Sequence, residues 1–137
     1  MEIYLSSTKR GYGLKELLSQ NLAEYWSSDS VLPHTITITF ERLEYVYSVD
    51  LYLSYVEDES YTPEKICVFF NNKKEEYALC EPEGFTKLLV KAKTDKITVV
   101  IISNHTDGKD SHVRFINVMK SISEPIRCYN DLSFDEE

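Results

Sequence analysis

The chain has 137 residues, 42% of them hydrophobic, with only four glycines and four prolines. This length and composition exclude a disordered, low-complexity or multidomain chain and predict one domain with a single core. The formal net charge of −8 is opposite to the basic footprint of a duplex-binding protein, so we expect no nucleic-acid partner.

The three cysteines, Cys67, Cys80 and Cys128, are widely spaced and form no CxxC pair. This pattern indicates the reduced thiols of an intracellular protein rather than a zinc ribbon or a redox pair. The first ten residues contain no apolar signal-peptide core, and no apolar stretch approaches the length of a membrane span. We therefore expect a protein of the nucleus and cytoplasm that has no membrane partner.

Taken in chain order, the sequence predicts a weak edge strand at residues 3–5 and then one short helix near the N-terminus. One or two helical turns, packed over one end of the fold, are indicated by the spacing of Leu14, Leu17, Leu18 and Leu22. Alternation of apolar and polar residues then predicts strands at residues 35–40 and 46–55. In the second of these, Tyr47, Val49, Leu51, Leu53 and Tyr55 are expected to share one face.

Further strands are predicted at residues 65–70, 85–91 and 113–119, and a weak edge strand at residues 77–80. Residues 97–102 are apolar on both faces, which is typical of a central strand. Eight short strands joined by turns predict an all-β fold, a jelly-roll β-sandwich. We expect this domain to span residues 1–120 and an acidic C-terminal extension to span residues 121–137.

Three long polar segments are predicted to lie at the same end of the sandwich, because antiparallel strands reverse direction at each connection. They comprise residues 6–34, 56–63 and 104–112. Loops carried on a rigid scaffold are where binding residues concentrate. The sequence therefore predicts a ligand-binding surface at this end.

Four sequence stretches in these segments carry a specific family resemblance. They read SSTKRGYG from Ser6, NLAEYWSSD from Asn21 with a following Pro33-His34, DESYTP from Asp58 with a following Lys65-Ile66, and NHTDGKDSHVR from Asn104. In these motifs, their order and their spacing, the chain resembles the Doc family, the subunit-ten class of the anaphase-promoting complex, a ubiquitin ligase. The match runs from about residue 6 to residue 119.

The resemblance implies a galactose-binding-domain-like jelly roll that is a non-catalytic subunit without a cofactor. Such subunits complete the receptor for the destruction-box degron beside an activator and promote processive ubiquitination. The expected partners are destruction-box substrates, the activator subunit and the scaffold subunits of the complex. Carried over by motif, the degron-binding residues are Asp58, Glu59, Ser60, Tyr61, Asn104, His105, Asp107, Gly108, Asp110 and His112.

The chemistry of these loops suits an extended peptide, because Asn, Ser and His side chains both donate and accept hydrogen bonds. Gly108 is expected to let its loop turn tightly and let the ligand approach closely. The family has a second Asn where this chain has Asp107, and an ionised Asp only accepts hydrogen bonds. Many members also end in an Ile-Arg tail, whereas here Ile126-Arg127 is internal, so we expect the body of the domain to provide the anchoring.

Other interpretations of the same residues are weaker. No standard metal motif has the spacing of His105, Asp107, Asp110 and His112. A hydrolase built on Ser60, His105 and Asp110 would need a nucleophile elbow, and the sequence around Ser60 does not resemble one. The alternative function is a small-ligand or carbohydrate-binding module, for which exposed Tyr12, Tyr25 and Tyr61 could serve as platforms. Trp26 is expected to be buried and His34 to be structural.

Overall fold

The computed structural model describes residues 1–126, and within this range the chain folds into strands with short helical turns. The all-β prediction is therefore confirmed. In chain order the elements are β1 (Glu2–Leu5), α1 (Leu14–Leu17), β2 (Trp26–Ser27), β3 (His34–Ser54), α2 (Tyr55–Asp58), a 3-10 turn (Glu59–Tyr61), β4 (Pro63–Phe70), β5 (Lys73–Ala78), β6 (Glu83–Asn104), a second 3-10 turn (His105–Asp107), β7 (His112–Val113) and β8 (Phe115–Met119).

Two long strands form the centre of the fold, where the sequence predicted four short ones. β3 merges the predicted strands 35–40 and 46–55, and β6 merges 85–91 and 97–102. They pair with each other over both halves, from His34 opposite Ile101 to Ser54 opposite Glu83. The pairing shifts register between Thr39 and Glu44, so the ladder continues past this point without a turn.

Within residues 1–126, four strands, β1, β4, β5 and β8, extend the two halves of this central pair, while β2 and β7 pair only with each other. The order is β1-β3-β6-β4-β5, while β8 pairs with the second half of β3. The edge positions predicted for residues 3–5 and 77–80 are confirmed by β1 and β5, although β5 begins earlier, at Lys73. The central position predicted for residues 97–102 is confirmed, because this part of β6 lies between β3 and β4.

One hydrophobic core lies between the halves. Its largest fully buried side chains include Trp26, Leu17, Ile36, Ile38, Leu51, Leu53, Ile66, Leu88, Ile97 and Ile101. The burial predicted for Trp26 is confirmed, and its indole Nε1 donates to the carbonyl of Ser7 at 2.9 Å. Buried indole N–H groups usually find such a partner.

Tyr47 leaves the face predicted for it, because β3 shifts register between Val46 and Ser48. Val46 is therefore buried, and the ammonium groups of Lys87 and Lys91 lie over the Tyr47 ring. The predicted strand at residues 113–119 is divided into β7 and β8.

Two further local predictions also differ from the structure. The helix has a single turn that ends at Leu17, so Leu22 lies beyond it and is 40% exposed. Tyr55 does not continue the β3 face, because it begins α2 instead. Ser54 caps this helical turn with its hydroxyl, which accepts from the backbone N–H of Glu57 at 3.2 Å. A serine at this position favours helix initiation, and the alternation of the preceding strand gave no sign of it.

After β8 the chain makes a short turn and comes back along that strand. Met119 and Pro125 form an antiparallel bridge, and the N–H of Ile126 donates to the carbonyl of Val118 at 2.6 Å. The predicted domain boundary at residue 120 stays a prediction. Residues 127–137, with the acidic end and Arg127, lie outside the described residues. No helix of residues 1–126 is long and apolar enough to cross a membrane.

Candidate functional site

The three polar segments meet at one end of the sandwich, as predicted. The backbone N–H of Ser28 donates to the carbonyl of Ser111 at 3.1 Å, which joins the first segment to the third. The backbone N–H of His105 donates to the carbonyl of Thr62 at 2.9 Å, which joins the third segment to the second. We call the surface formed by residues 7–30, 55–62 and 104–114 the loop end.

Asn104 organises the third segment from inside. Its amide donates to the carbonyls of Gly108 at 2.9 Å and Asp110 at 3.1 Å, and its oxygen accepts from the Ser111 hydroxyl at 2.6 Å. The residue is 1% exposed, and both amide protons are used inside the loop. Asn104 therefore shapes the loop and does not present its side chain at the surface.

Gly108 allows the second and third segments to touch. A Cβ atom added there would lie 1.7 Å from the carbonyl oxygen of Ser60. Its backbone has φ −62° and ψ 148°, which any residue can adopt. The turn that the Gly108 N–H closes on the carbonyl of His105, at 3.1 Å, therefore needs no left-handed backbone at this position. What the absent side chain permits is the close approach of another loop.

A buried ion-pair network ties the segments together beneath the surface. Arg114 grips both oxygens of Asp58, with Nη2 at 2.7 Å from Oδ1 and Nε at 2.9 Å from Oδ2. His112 Nδ1 lies 3.1 Å from the same Oδ1, and since an ionised carboxylate only accepts, this nitrogen donates. The third guanidinium nitrogen of Arg114 donates to the carbonyl of Leu22 at 2.7 Å, so all three segments share one arginine.

The network sets the ionisation of its members. Burial alone would raise the pKa of Asp58, but hydrogen bonds from His112 and Arg114 and their positive charge outweigh it and lower that pKa. The hydrogen bond to Asp58 raises the pKa of Arg114 against the opposing effect of burial. The side chain of Asp58 is 3% exposed, so this carboxylate is a structural anion and not a surface contact.

Above the network, four rings form a column across the loop end. Tyr12 stacks on Tyr25 with 5.0 Å between ring centroids, and Tyr25 stacks on His112 at 4.2 Å. Tyr61 covers the other side of His112 at 4.2 Å and is almost parallel to it, at 9°. We call these four residues the ring column. Arg114 supports it from the network, with its guanidinium carbon 5.0 Å from the Tyr25 centroid.

The ring column includes residues that the motif-based site missed. Tyr12 and Tyr25 lie in two of the family motifs, but the sequence suggested a ligand-contacting role for them only in the sugar-binding alternative. Arg114, which supports the column, stood out only as part of a motif. Burial raises the pKa of Tyr25, and the neighbouring Tyr12 and Asp58 raise it further against the effect of Arg114. Sequence position gave no signal for the column, because its members come from three separate segments.

The remaining motif residues divide between support and surface. Asp110 accepts from the Ser28 hydroxyl at 3.0 Å and from the Ser30 N–H at 3.3 Å, which fixes the loop to the first segment. His105 is 9% exposed and meets Tyr55 edge-on at 5.2 Å. The exposed members are Glu59, Tyr61 and Asp107, while Ser60, Gly108 and His112 are half-buried.

No hydrolytic triad is assembled here, because His105 Nε2 is buried without a hydrogen-bond partner and the Asp110 carboxylate is engaged elsewhere. Among residues 1–126 no group of three or more His, Cys, Asp or Glu side chains could hold a metal ion. His34 is fully buried, and its Nε2 contacts the carbonyl of Lys109 at 2.6 Å. That contact agrees with the structural role predicted for His34.

Comparison with known proteins gives the family. The family model described as anaphase-promoting complex, subunit 10, matches residues 1–134. Curated proteins named anaphase-promoting complex subunit 10 from Mus musculus and Homo sapiens are each 36% identical over 132 residues, covering 88% of this chain and 71% of the relative. The Schizosaccharomyces pombe protein of that name is 30% identical, covering 94% of this chain and 76% of the relative.

The chain belongs to the anaphase-promoting complex subunit 10 family. The resemblance inferred from the four motifs is thereby confirmed. The backbone conformation at position 107, where the resemblance implies an asparagine and this chain has Asp107, can be adopted by either residue. Asp107 has φ 57°, a left-handed conformation in which Asn and Asp are both enriched. An aspartate in place of the expected asparagine would therefore change charge and hydrogen bonding at an exposed position without straining the loop backbone.

Solved structures confirm the fold. A family 32 carbohydrate-binding module of C. perfringens NanJ in complex with galactose superposes with a TM-score of 0.68 at 12% identity, covering 85% of this chain and 90% of that one. The lectin-binding domain of lectinolysin, complexed with Lewis b, gives 0.69 at 13% identity, covering 88% and 92%. These likenesses show a galactose-binding-like jelly roll and say nothing about the ligand of this chain.

Proposed function

We propose that the loop end is the part of this family member that binds the destruction-box degron, acting as a co-receptor beside the activator subunit. In this role the chain is a non-catalytic, nuclear and cytoplasmic subunit that joins the scaffold of the ligase. The observation that carries the proposal is the exposed rim of the loop end. There Tyr61, Glu59 and Asp107 are exposed, and the two turns that carry them, from the two degron-contact motifs, are in contact.

The rigidity of the two loops supports peptide binding. The Asp58–Arg114 pair, the Asn104 hydrogen bonds and the Ser60–Gly108 contact hold both loops before any ligand arrives. A preformed site spends less of its binding energy on ordering loops. A shared degron therefore needs only a modest second contact here, because that contact acts at high effective concentration once the activator holds the peptide.

The motif residues have two kinds of role in this proposal. Tyr61, Glu59, Asp107 and Ser60 are the accessible groups that contact the peptide, together with the edge that His112 leaves uncovered between Tyr25 and Tyr61. The other five act by holding the loops in place: Asp58, Asn104, His105, Gly108 and Asp110. Variants of the first set should change residence time on the complex, whereas variants of the second set should also change stability.

The experiment compares Tyr61→Ala with Tyr45→Ala in the reconstituted ligase. The two tyrosines are matched in exposure, at 45% and 44%, but Tyr45 pairs with Lys93 on the sheet, far from the loop end. We expect Tyr61→Ala to shorten the residence of a destruction-box substrate by roughly three- to tenfold, since exposed aromatic anchors often dominate small interfaces.

Single-encounter assays should then show fewer ubiquitins per binding event with Tyr61→Ala, and the same number as wild type with Tyr45→Ala. Both variants should enter the complex normally. Unchanged chain length with Tyr61→Ala, at full incorporation, would refute the proposal. Retention of the chain on a glycan array, without any association with ligase subunits, would favour the sugar-binding alternative instead.

A further inference from the structure

One stretch of the first segment at the loop end is basic, and the second segment is acidic. Residues 6–15, in the first segment, contain Lys9, Arg10 and Lys15 and no acidic residue. Residues 55–62, in the second segment, contain three acidic residues and no Lys or Arg. The two segments lie at opposite ends of the ring column, because Tyr12 comes from the first and Tyr61 from the second.

The contacts place specific charges at each end of the column. Lys9 Nζ lies 5.6 Å from the centroid of Tyr12, which puts an exposed cation directly over that ring. Tyr61 belongs to the same 3-10 turn as Glu59. The contact of Gly108 with Ser60 brings the exposed Asp107 beside this turn, so the acidic end combines two loops.

Other charged residues at the loop end are either paired with a partner or lie outside the two ends of the ring column. Asp58 is buried and paired with Arg114, so Glu57, Glu59 and Asp107 are the acids that face solvent at their end. In the first segment Asp29 is exposed and Glu16 and Glu24 are partly exposed, so its three acids equal its three basic residues in number and the excess of positive charge is confined to residues 6–15. Lys109 is exposed in the third segment, next to Asp110, which is bound to Ser28 and Ser30 of the first.

The ring column is long enough for its two ends to act separately. Its successive centroid spacings are 5.0, 4.2 and 4.2 Å. That span exceeds the screening length of about 8 Å at physiological ionic strength, so a bound group responds mainly to the nearer end. It also equals roughly four residues of extended chain, each of which advances about 3.3 Å.

We propose that the loop end is a polarised cradle that fixes the direction of an extended peptide. The peptide lies along the ring column, with a basic or donor-rich part at Glu59 and Asp107 and an acidic part at Lys9 and Arg10. Complementary charge sets orientation and register more than it sets affinity. This inference rests on the proposed function and adds the first segment, with Lys9, Arg10 and Tyr12, to the binding surface.

The test uses nuclear magnetic resonance of the ¹⁵N-labelled chain, because weak contacts remain visible in such spectra. The probes are two eight-residue peptides of identical composition. One carries two lysines at its amino end and two aspartates at its carboxyl end, and the other has these charges exchanged. Each is prepared with a nitroxide at its acidic end or at its basic end, and an unlabelled destruction-box peptide is titrated in parallel.

We expect a nitroxide at the acidic end to broaden the amide signals of Lys9 and Tyr12, and one at the basic end to broaden those of Glu59 and Asp107, for both peptides. The chain variant with Lys9→Glu, Arg10→Glu, Glu59→Lys and Asp107→Lys should exchange the two patterns. Broadening that follows chain direction regardless of charge, or that is equal at both ends, would overturn the inference.

These outcomes separate the inference from the proposed function. If the destruction-box peptide shifts the amides of Tyr61 and His112 while the charged peptides show no polarity, the inference alone is wrong. If no peptide shifts any loop-end amide, both are wrong. Loss of the polarity with Lys9→Ala and Arg10→Ala, together with unchanged shifts at Tyr61, would assign the acidic end of the peptide to the first segment.

Discussion

At the scale of single residues, the candidate site is a thin exposed rim over a buried polar network. Asp58 and Tyr61 belong to one motif, yet Asp58 is enclosed and Tyr61 is 45% exposed. The motif identifies both residues as important, but a one-dimensional sequence does not reveal which of them faces solvent. Their roles differ because Arg114, 56 positions further along the chain, encloses the Asp58 carboxylate in the folded protein.

Arg114→Ala should destabilise the fold strongly, since it leaves the Asp58 carboxylate buried with only His112 as a partner. Removing one member of a buried pair typically costs about 3–5 kcal/mol. Urea denaturation measures the effect. The control is Lys74→Ala, because Lys74 pairs with Glu76 at 3.1 Å on the surface, with side chains 52% and 71% exposed. Such exposed pairs contribute little to stability because solvent screens them, and equal losses in both variants would contradict the account.

The Asp58 network should also make stability depend on pH in the acidic range. Its pKa is lowered in the folded chain from an ordinary value of 3.8. A lowered pKa contributes stability that is fully present above the unfolded value and is lost as pH falls through the folded one. The free energy of unfolding should therefore decrease below about pH 4, and decrease less in Asp58→Asn. Equal decreases in wild type and variant would exclude this carboxylate as a source.

At the scale of elements, the sequence predicted the existence of most strands but not their continuity. The alternation at residues 35–40 correctly predicted an apolar face, and so did Val49, Leu51 and Leu53 in the next strand. Tyr47 and Tyr55, at the two ends of that strand, leave the predicted face. The intervening ERLEY, however, looked like a polar turn and is part of β3. Its residues are exposed because they lie where the strand shifts register against β6, beyond the core. Polarity alone does not separate an exposed bend in a long strand from a turn.

The contact between the two loops is the element-scale feature most open to test. Gly108→Ala should force the third segment away from Ser60, since the added Cβ has no room at 1.7 Å. We expect a loss of about 1–3 kcal/mol from overpacking, measured by thermal unfolding. Lys109→Ala, at the exposed neighbouring position, should leave stability nearly unchanged. A Gly108→Ala chain as stable as wild type would show that the loops separate freely.

At the scale of the whole molecule, the sandwich acts as a rigid frame that brings three distant segments to one end. Counting strand reversals predicted this convergence correctly. Residues 1–126 form eight strands, as predicted, but they are not the eight predicted ones. Two pairs of predicted strands merge, one predicted strand is divided into β7 and β8, and the short strand β2 is added. The family was also recoverable from the motifs, because their order and spacing are specific. The ring column and the charge separation were not, since each depends on side chains that are neighbours only after folding.

The central claim is that a degron touches the loop end, and site-specific photo-crosslinking in the assembled ligase tests it most directly. A photoreactive phenylalanine analogue replaces Tyr61 in one preparation and the matched Tyr45 in another. With activator present, a labelled destruction-box peptide should crosslink at position 61 and not at position 45, and excess unlabelled peptide should compete. Equal labelling at both positions, or labelling at position 45 alone, would contradict the account.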